Sequence, residues 1–344
     1  MITIGIDPHK SSHTAAAVGE RGELIAELRV AADRSTTKRL LTWAGQWPER
    51  RWAIEGAGGL GRLLAQQLVI AGETVMDVPA KLAARVRLLD AGHGRKTDGI
   101  DAISVASAAL RGRGIHPVVH EDSSSVLRLL SDRRDGLSAE RRRSVNRLHR
   151  VLRDLVPGGA PRQLSATRAA TILRAIRPSS AVDAERKAIA RELLADVRRL
   201  DRALAQNRQR CAEAVAVADT SLIEVFGVSD VLATKIIGHA RDITRFASAD
   251  HFATYSGTAP IEASSGDTKR HRLSRWGNRS LNNALHLTAR VQTMHAGPGR
   301  TYYERKLAEG KSPAEALRCL KRQLAKVVYR HLLADHRRHS LAAV

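Results

Sequence analysis

Residues 2–7 read Ile-Thr-Ile-Gly-Ile-Asp. Isoleucines at alternate positions make Ile2–Ile6 a short apolar strand, and the run ends on the carboxylate of Asp7. Outward from it, strand and helix signals alternate. Thr14–Val18 and Leu24–Val30 flank Glu20-Arg21-Gly22, a hairpin turn. Thr36–Trp47 has helical spacing, with Leu40, Leu41 and Ala44 on one face. Trp52–Ile54 predicts a fourth strand, followed by a helix near Leu60–Ala71. Glu73–Val78 reads as a strand and Pro79–Asp90 as a helix, with Pro79 at a permitted early position. The order β-β-β-α-β-α-β-α predicts an α/β region: a mixed sheet with helices on its faces.

Four acids stand out by position. Asp7 ends the first strand and Glu55 the fourth. A carboxylate there is costly unless it is paired or holds a cation. Asp98 and Asp101 follow the glycine-bearing loop Ala91–Lys96, three residues apart at the start of a helix over Asp98–Leu110, with Thr97 as its N-cap. Four carboxylates in one cleft repel one another. The arrangement makes sense chiefly if two Mg²⁺ ions neutralise them and clamp the oxygens of a phosphodiester. The plainer alternative is that Asp98 and Asp101 complement the helix dipole or pair with Arg95 or Lys96. His9 and His13 are further ligand candidates, although a histidine at a hairpin edge is also an ordinary structural residue.

The 344 residues carry a formal charge of +22. The basic excess is 4 over 1–115, 8 over 116–219 and 10 over 220–344, so the first third is nearly balanced. A polyanion such as nucleic acid is the natural partner. An acidic membrane surface is the weaker alternative, because no lipidation motif or basic amphipathic terminus occurs. No apolar run reaches the roughly 18 residues of a membrane span, and the start lacks the signature of a signal peptide. Cys211 and Cys319 form neither a disulfide framework nor a zinc spacing. The expectation is a soluble cytoplasmic protein, bacterial and nucleoid-associated.

Gly-Arg-Gly-Ile-His-Pro at 112–117 closes the first region. Val126–Leu155 is long and helical, with leucines among many arginines; Gly136 marks a candidate bend and Pro157–Pro161 a break. A second long helix fits Ala181–Ala218, and the two read as an antiparallel coiled-coil hairpin. Its basic face is either a solvated arm or a surface that tracks phosphates or joins subunits. Residues 220–344 hold eight of the eleven aromatics, hence a different kind of core. Phe226-Gly227-Val228 and the helix to Ala240 resemble a helix-turn-helix entry that offers backbone amides to phosphate. Glu315–Leu333 is an amphipathic closing helix.

Ile-Gly-Ile-Asp-Pro-His-Lys (4–10), Ala-Ile-Glu-Gly (53–56) and Lys-Thr-Asp-Gly-Ile-Asp-Ala (96–102) resemble the catalytic blocks of a RuvC-like, ribonuclease-H-type DEDD nuclease. The version is that of the "IS one-ten" family of insertion-sequence transposases, related to the Piv invertase and including bridge-RNA-guided recombinases. Arg141–Leu155 resembles the family's linker helix. Phe252–Pro260, Ser264-Ser265-Gly266, Arg272 and Gly277-Asn278-Arg279 resemble its C-terminal transposase domain, and Tyr302–Tyr329 its closing pattern. The chain departs from the family at Phe226-Gly227-Val228-Ser229, where Pro-Gly-Ile-Gly is common.

The resemblance implies a fold of three parts. These are a RuvC-like catalytic domain (1–115), a helical coiled-coil linker (116–219) and a mostly helical C-terminal transposase domain (220–344). It implies that Asp7, Glu55, Asp98 and Asp101 hold Mg²⁺. It implies that a serine, by motif Ser265 with Ser264 as the alternative, attacks DNA to give a covalent 5′-phosphoserine. A serine hydroxyl needs such activation to be a nucleophile. Arg141, Arg147, Arg272, Arg275 and Arg279 are the candidate nucleic-acid contacts. The partners implied are double-stranded DNA at the element ends and target, a structured noncoding bridge RNA, and further copies of the chain in a tetramer of two dimers. Competing readings are a Holliday-junction resolvase-like nuclease using water, a catalytically silent nucleic-acid-binding protein, and an actin-like sugar kinase. The last suits neither the charge nor the lack of a second glycine-rich phosphate loop.

Overall fold

The computed structural model describes residues 1–90, 97–112, 114–262, 271–272 and 276–342. The chain divides into two compact units, Met1–Glu121 and Asp122–Val344. Among the described residues no helix is long and apolar enough to cross a membrane.

The first unit is a six-stranded mixed sheet with helices on both faces. Strand β1 (Ile2–Pro8) pairs antiparallel with β2 (Ser12–Val18), which pairs antiparallel with β3 (Leu24–Ala31). The hairpin turns at Gly22, whose φ of +88° suits glycine. Helix α1 (Thr36–Ala44) leads to β4 (Arg50–Glu55), parallel to β1. Helix α2 (Arg62–Ile70) leads to β5 (Val75–Val78), parallel to β4. Helices α3 (Ala80–Asp90) and α4 (Asp98–Leu110) precede a two-residue antiparallel strand β6 (His116–Pro117). The order β3-β2-β1-β4-β5-β6 puts the strand opened by Ile2 at the centre. This is the ribonuclease-H-type arrangement that the sequence resemblance leads one to expect.

Side-chain alternation explains the two faces. Ile4, Ile6, Trp52 and Ile54 pack with Leu40, Leu64 and Leu68 of α1 and α2. The opposite face is lined by small residues, and there α4 lies on the sheet. A Cβ on Gly5 would come within 2.1 Å of the Ala102 carbonyl oxygen and 2.6 Å of the Ala106 nitrogen. Only glycine permits this approach.

The second unit is helical. Helix α5 (Ser123–Arg153) runs unbroken through Gly136, so the bend expected there does not interrupt it. Leu130 and Leu137 on either side of the glycine are buried and hold the helix through it. After α6 (Ala166–Ala175), α7 (Ala181–Val217) returns along α5. Asn207 Nδ2 donates to the Leu130 carbonyl at 3.1 Å, Arg134 to the Leu204 carbonyl at 3.2 Å, and Arg199 meets Glu140 at 3.3 Å. Partner numbers fall on one helix as they rise on the other, so the hairpin is antiparallel.

Helix α8 (Asp230–Ala240) crosses α5 closely: a Cβ on Gly238 would lie 2.5 Å from the Arg128 nitrogen. Helix α9 (Ala249–Tyr255), the short strands β7 (Ile261–Glu262) and β8 (His271–Arg272), α10 (Arg279–Met294), α11 (Pro298–Ala308) and α12 (Pro313–Ala342) complete the unit. Its core joins Phe246, Phe252, Leu281, Leu285, Leu324 and Val328, among others. The closing helix therefore packs into the aromatic core, as its amphipathic pattern predicts.

Candidate active site

Asp7 lies two residues beyond Gly5 on β1, and Glu55 two residues beyond Ala53 on β4. Gly5 and Ala53 are register partners on the α4 face of the sheet. Alternation therefore sends Asp7 and Glu55 to that same face, at adjacent strand ends. Helix α4 begins beside them. Thr97 Oγ1 accepts the Ile100 N–H at 3.3 Å, the cap expected from sequence. Asp98 and Asp101 sit in the first turn. Ligand atoms of Asp7, His9 and Asp98 all lie within 4.8 Å of one another. Asp7 is only 8% exposed and Asp101 7%, so both carboxylates are held away from bulk water. His9 Nδ1 is 3.5 Å from Asp7 Oδ2. The Glu27 carboxylate of β3 abuts Gly99, within 2.9 Å of where a Cβ would stand, adding another acid at the start of α4.

Arg87 of α3 is a cation of this cluster. It donates to Asp101 Oδ1, and that hydrogen bond and charge, followed by the charges of Glu55 and Asp7, hold its guanidinium above the ordinary arginine range. Asp98 has a looser partner in Arg29, at 3.6 Å. Arg87 thus opposes any second cation that approaches Asp101. Replacing it with methionine is expected to tighten Mg²⁺ or Mn²⁺ binding roughly fivefold, the scale of one exposed charge pair. Calorimetric titration checks this; weaker binding would mean that Arg87 chiefly orients Asp101.

The residues fit a divalent cation. The donor set is hard carboxylate oxygen from Asp7 and Asp98, with one imidazole nitrogen from His9 beside them. The burial of Asp7 is of the kind that calls for charge compensation. Asp101 would have to exchange Arg87 for metal to join as a ligand.

In the second unit, Ser264, Ser265 and Arg275 lie outside the described residues, as does the side chain of Arg272. The stretch that contains them leaves and returns at one place. Strands β7 and β8 pair through Ile261–Arg272 and Glu262–His271. The Asn278 N–H donates to the Tyr255 carbonyl at 2.7 Å. Gly257 and Gly277, with φ of +66° and +101°, cross backbone to backbone: a Cβ on Gly277 would lie 2.8 Å from the Gly257 nitrogen. Arg147 and Arg279 are exposed. Arg279 opens α10, where its charge opposes the helix dipole. Arg141 is half-buried and ion-paired with Asp201 across the helical hairpin.

Buried His239 sits against the same crossing. Asn278 Oδ1 accepts the Leu281 N–H, so its Nδ2 faces His239 Nδ1 at 3.2 Å. The imidazole must accept there, which makes it neutral with its proton on Nε2. Burial first, then Arg128, lowers its pKa to about 4, against the opposing charge of Asp132; Lys235 and Asp135 add smaller opposed effects. The folded state refuses a proton that the unfolded chain accepts below about pH 6.5. Stability from this group is therefore complete above that pH and is lost as pH falls to about 4, by about 3 kcal/mol. Melting temperature measured from pH 7 to 4.5 should fall more steeply in the wild type than in His239→Gln.

A family model for the DEDD transposase of IS110 matches residues 4–157, and a model for the IS116/IS110/IS902 transposase family matches residues 219–304. The chain belongs to the IS110 family of insertion-sequence transposases. The first match spans all four acids and the second spans Ser264, Ser265 and Arg272–Arg279. This transposase is 29% identical to the 44.8 kDa protein of insertion element IS116 from Streptomyces clavuligerus, over 98% of its own length and 95% of the relative's. It is 25% identical to the 42 kDa protein of IS900 from Mycobacterium paratuberculosis, over 96% and 95%. A 106-residue stretch is 41% identical to the 43.6 kDa protein of IS110 from Streptomyces coelicolor, covering 30% of this chain and 26% of that one. Among solved structures, Thermus thermophilus RuvC in complex with Holliday junction substrate aligns at a TM-score of 0.28 and 15% identity, over 34% of this chain and 99% of that one.

The sequence alone did not reveal the transposase's Arg87, Glu27 or Gly5 contacts. Arg87 meets Asp101 fourteen positions away on another helix, and no local spacing encodes that pairing. Gly5 was visible as a glycine inside an apolar strand, the usual mark of a close backbone approach.

Proposed function

We propose that this transposase cuts and exchanges DNA strands with the acids of its first unit holding metal and a serine of its second unit as nucleophile. On this reading the chain works in three parts: the acids in 1–115, a helical arm in 116–219 and the serine in 220–344. The observation that carries it is the meeting of Asp7, at the end of β1, with Asp98, at the start of α4, their ligand atoms within 4.8 Å. Asp7, Glu55, Asp98 and Asp101 would hold Mg²⁺, Asp101 after exchanging Arg87 for it. Bound there, the ion would supply charge neutralisation at the phosphodiester and a lower proton affinity at the attacking oxygen.

Ser265 Oγ attacks the scissile phosphorus. The Oγ–P bond forms, the P–O3′ bond breaks, the serine gives up its proton and the leaving 3′ oxygen gains one. The product is a 5′-phosphoserine and a free 3′ hydroxyl. Attack by another strand's 3′ hydroxyl reverses the step, so rejoining needs no ATP. Arg147, Arg272, Arg275 and Arg279 contact phosphates and position the strands. Arg141, already neutralised by Asp201, contributes least. A bridge RNA from the element supplies sequence by pairing, while the protein reads shape and phosphate. The working assembly is a tetramer of two dimers, in which different subunits supply the acids and the serine. The basic excess of the second and third parts supports a nucleic-acid partner of this kind.

The test uses purified full-length protein, element-end DNA and RNA transcribed from the element's noncoding flank. Strand cleavage should need both Mg²⁺ and the RNA, and should stop with a chelator. Cleavage of equal rate without RNA would remove the guide from the account; cleavage in the chelator would remove the metal.

A further inference from the structure

Two side chains, Asn282 of α10 and Lys321 of α12, tie down described residues that flank the stretch carrying Ser264 and Ser265. Lys321 of α12 is buried, 6% exposed, and its Nζ donates to Asn282 Oδ1 of α10 at 2.6 Å. An ammonium has donors only, so it can meet only the oxygen of the amide. This fixes the opposite end. Asn282 Nδ2 then donates to the carbonyls of Ser256 and Gly257, both at 2.9 Å. Those two carbonyls end α9, where the chain leaves for β7. Gly257 is also where the returning chain crosses: its Cβ position is 2.8 Å from the Trp276 carbonyl oxygen and 3.2 Å from Asn282 Nδ2. One amide therefore holds the outgoing root and abuts the place where the incoming root passes.

We propose that Lys321 and Asn282 are positioning residues for strand transfer, a buried ammonium–amide relay that fixes where the serine-bearing segment is held. The proposal rests on the assignment of the nucleophile to that segment. A buried ammonium is a costly way to pack a helix, because desolvating the charge consumes much of what its contact returns. Burial, then the charge of Arg318, accordingly lowers the Lys321 pKa. Packing alone would be served as well by methionine. The directional requirement, oxygen toward the lysine and N–H toward the carbonyls, is what methionine cannot supply.

The experiment compares Lys321→Met and Asn282→Leu with the wild type in three readouts on the full chain. These are covalent protein–DNA adduct formation, thermal melting, and amide hydrogen exchange at 256–258 and 276–278. Each variant is expected to slow adduct formation about a hundredfold, the cost of misplacing a reacting group by about an ångström. Exchange at the two roots should quicken while protection elsewhere in α10 and α12 stays. Lys321→Met should melt within a few degrees of the wild type. Unchanged exchange at the roots, or loss of protection throughout 220–342, would overturn the proposal; the latter would make the pair a general packing element. Hydrogen exchange does not depend on the chemistry. An adduct that persists in Ser265→Ala and Ser264→Ala while Asn282→Leu loosens the roots would therefore sink the nucleophile and leave the anchor standing.

Discussion

Replacing Asp7 with asparagine is expected to lower DNA strand cleavage by about a thousandfold, with the fold intact. That is the several kcal/mol a catalytic metal contributes, at 1.36 kcal/mol per factor of ten. Asp7 is the acid most committed to the site. It ends the central strand, is 8% exposed, and lies within ligand distance of both His9 and Asp98. Asparagine keeps the size and removes the charge, so a buried negative group is lost without a cavity. Melting temperature should hold or rise at low Mg²⁺, because like charges near Glu55 and Asp101 are relieved. Calorimetry should show weaker Mg²⁺ binding in step with the rate. Full cleavage by Asp7→Asn would remove the acid cluster from the reaction.

The second large effect comes from a methyl group. Gly5→Ala places a Cβ about 2 Å from a backbone carbonyl oxygen of α4, and neither β1 nor α4 can yield as a flexible side chain would. Overpacking of this kind costs about 3 kcal/mol, or about 10 °C of melting temperature for a unit of this size. The functional loss should exceed the loss of stability. Asp98 and Asp101 ride on α4, and the helix must move away from Asp7 to admit the methyl. Gly58→Ala is the control, since a Cβ there meets nothing within 4 Å. The outcome to look for is weak metal binding by Gly5→Ala below its melting temperature, beside a Gly58→Ala protein that binds normally. Equal melting of the two would mean that α4 does not press on β1.

Much of this architecture was legible in the chain because its signals are local and agree. Ile2–Ile6 reads as a strand because its side chains alternate, and the structure extends it to Pro8 at the sheet centre. Thr97 reads as a cap because Ser/Thr before an acidic first turn has few other uses, and it caps α4. The long helices at Ser123–Arg153 and Ala181–Val217 agree with their leucine spacing to within a few residues. What stayed hidden is long-range. Helix α6 is short and shows only two buried residues, Ala169 and Leu173, too few for a clear period. Strand β6 is two residues long and exists only because β5 offers an edge. The second-unit anchor joins Lys321, Asn282 and the end of α9 across separations of 39 and 26 residues. Such polar pairings have no periodic trace. The acids are a middle case. Each was visible at an element end, but that Asp7 and Asp98 meet depends on α4 lying against Gly5.

The most direct test of the proposed serine chemistry is a covalent-adduct assay. Protein, element-end DNA, element-derived RNA and Mg²⁺ are combined and resolved under denaturing conditions, with Ser265→Ala, Ser264→Ala and Asp7→Ala alongside. The expected result is a protein–DNA band that survives denaturation, requires Mg²⁺ and RNA, persists in Ser264→Ala, and vanishes in both Ser265→Ala and Asp7→Ala. Cleavage with no adduct, at a rate unchanged in Ser265→Ala, would contradict it and make the enzyme a nuclease that uses water.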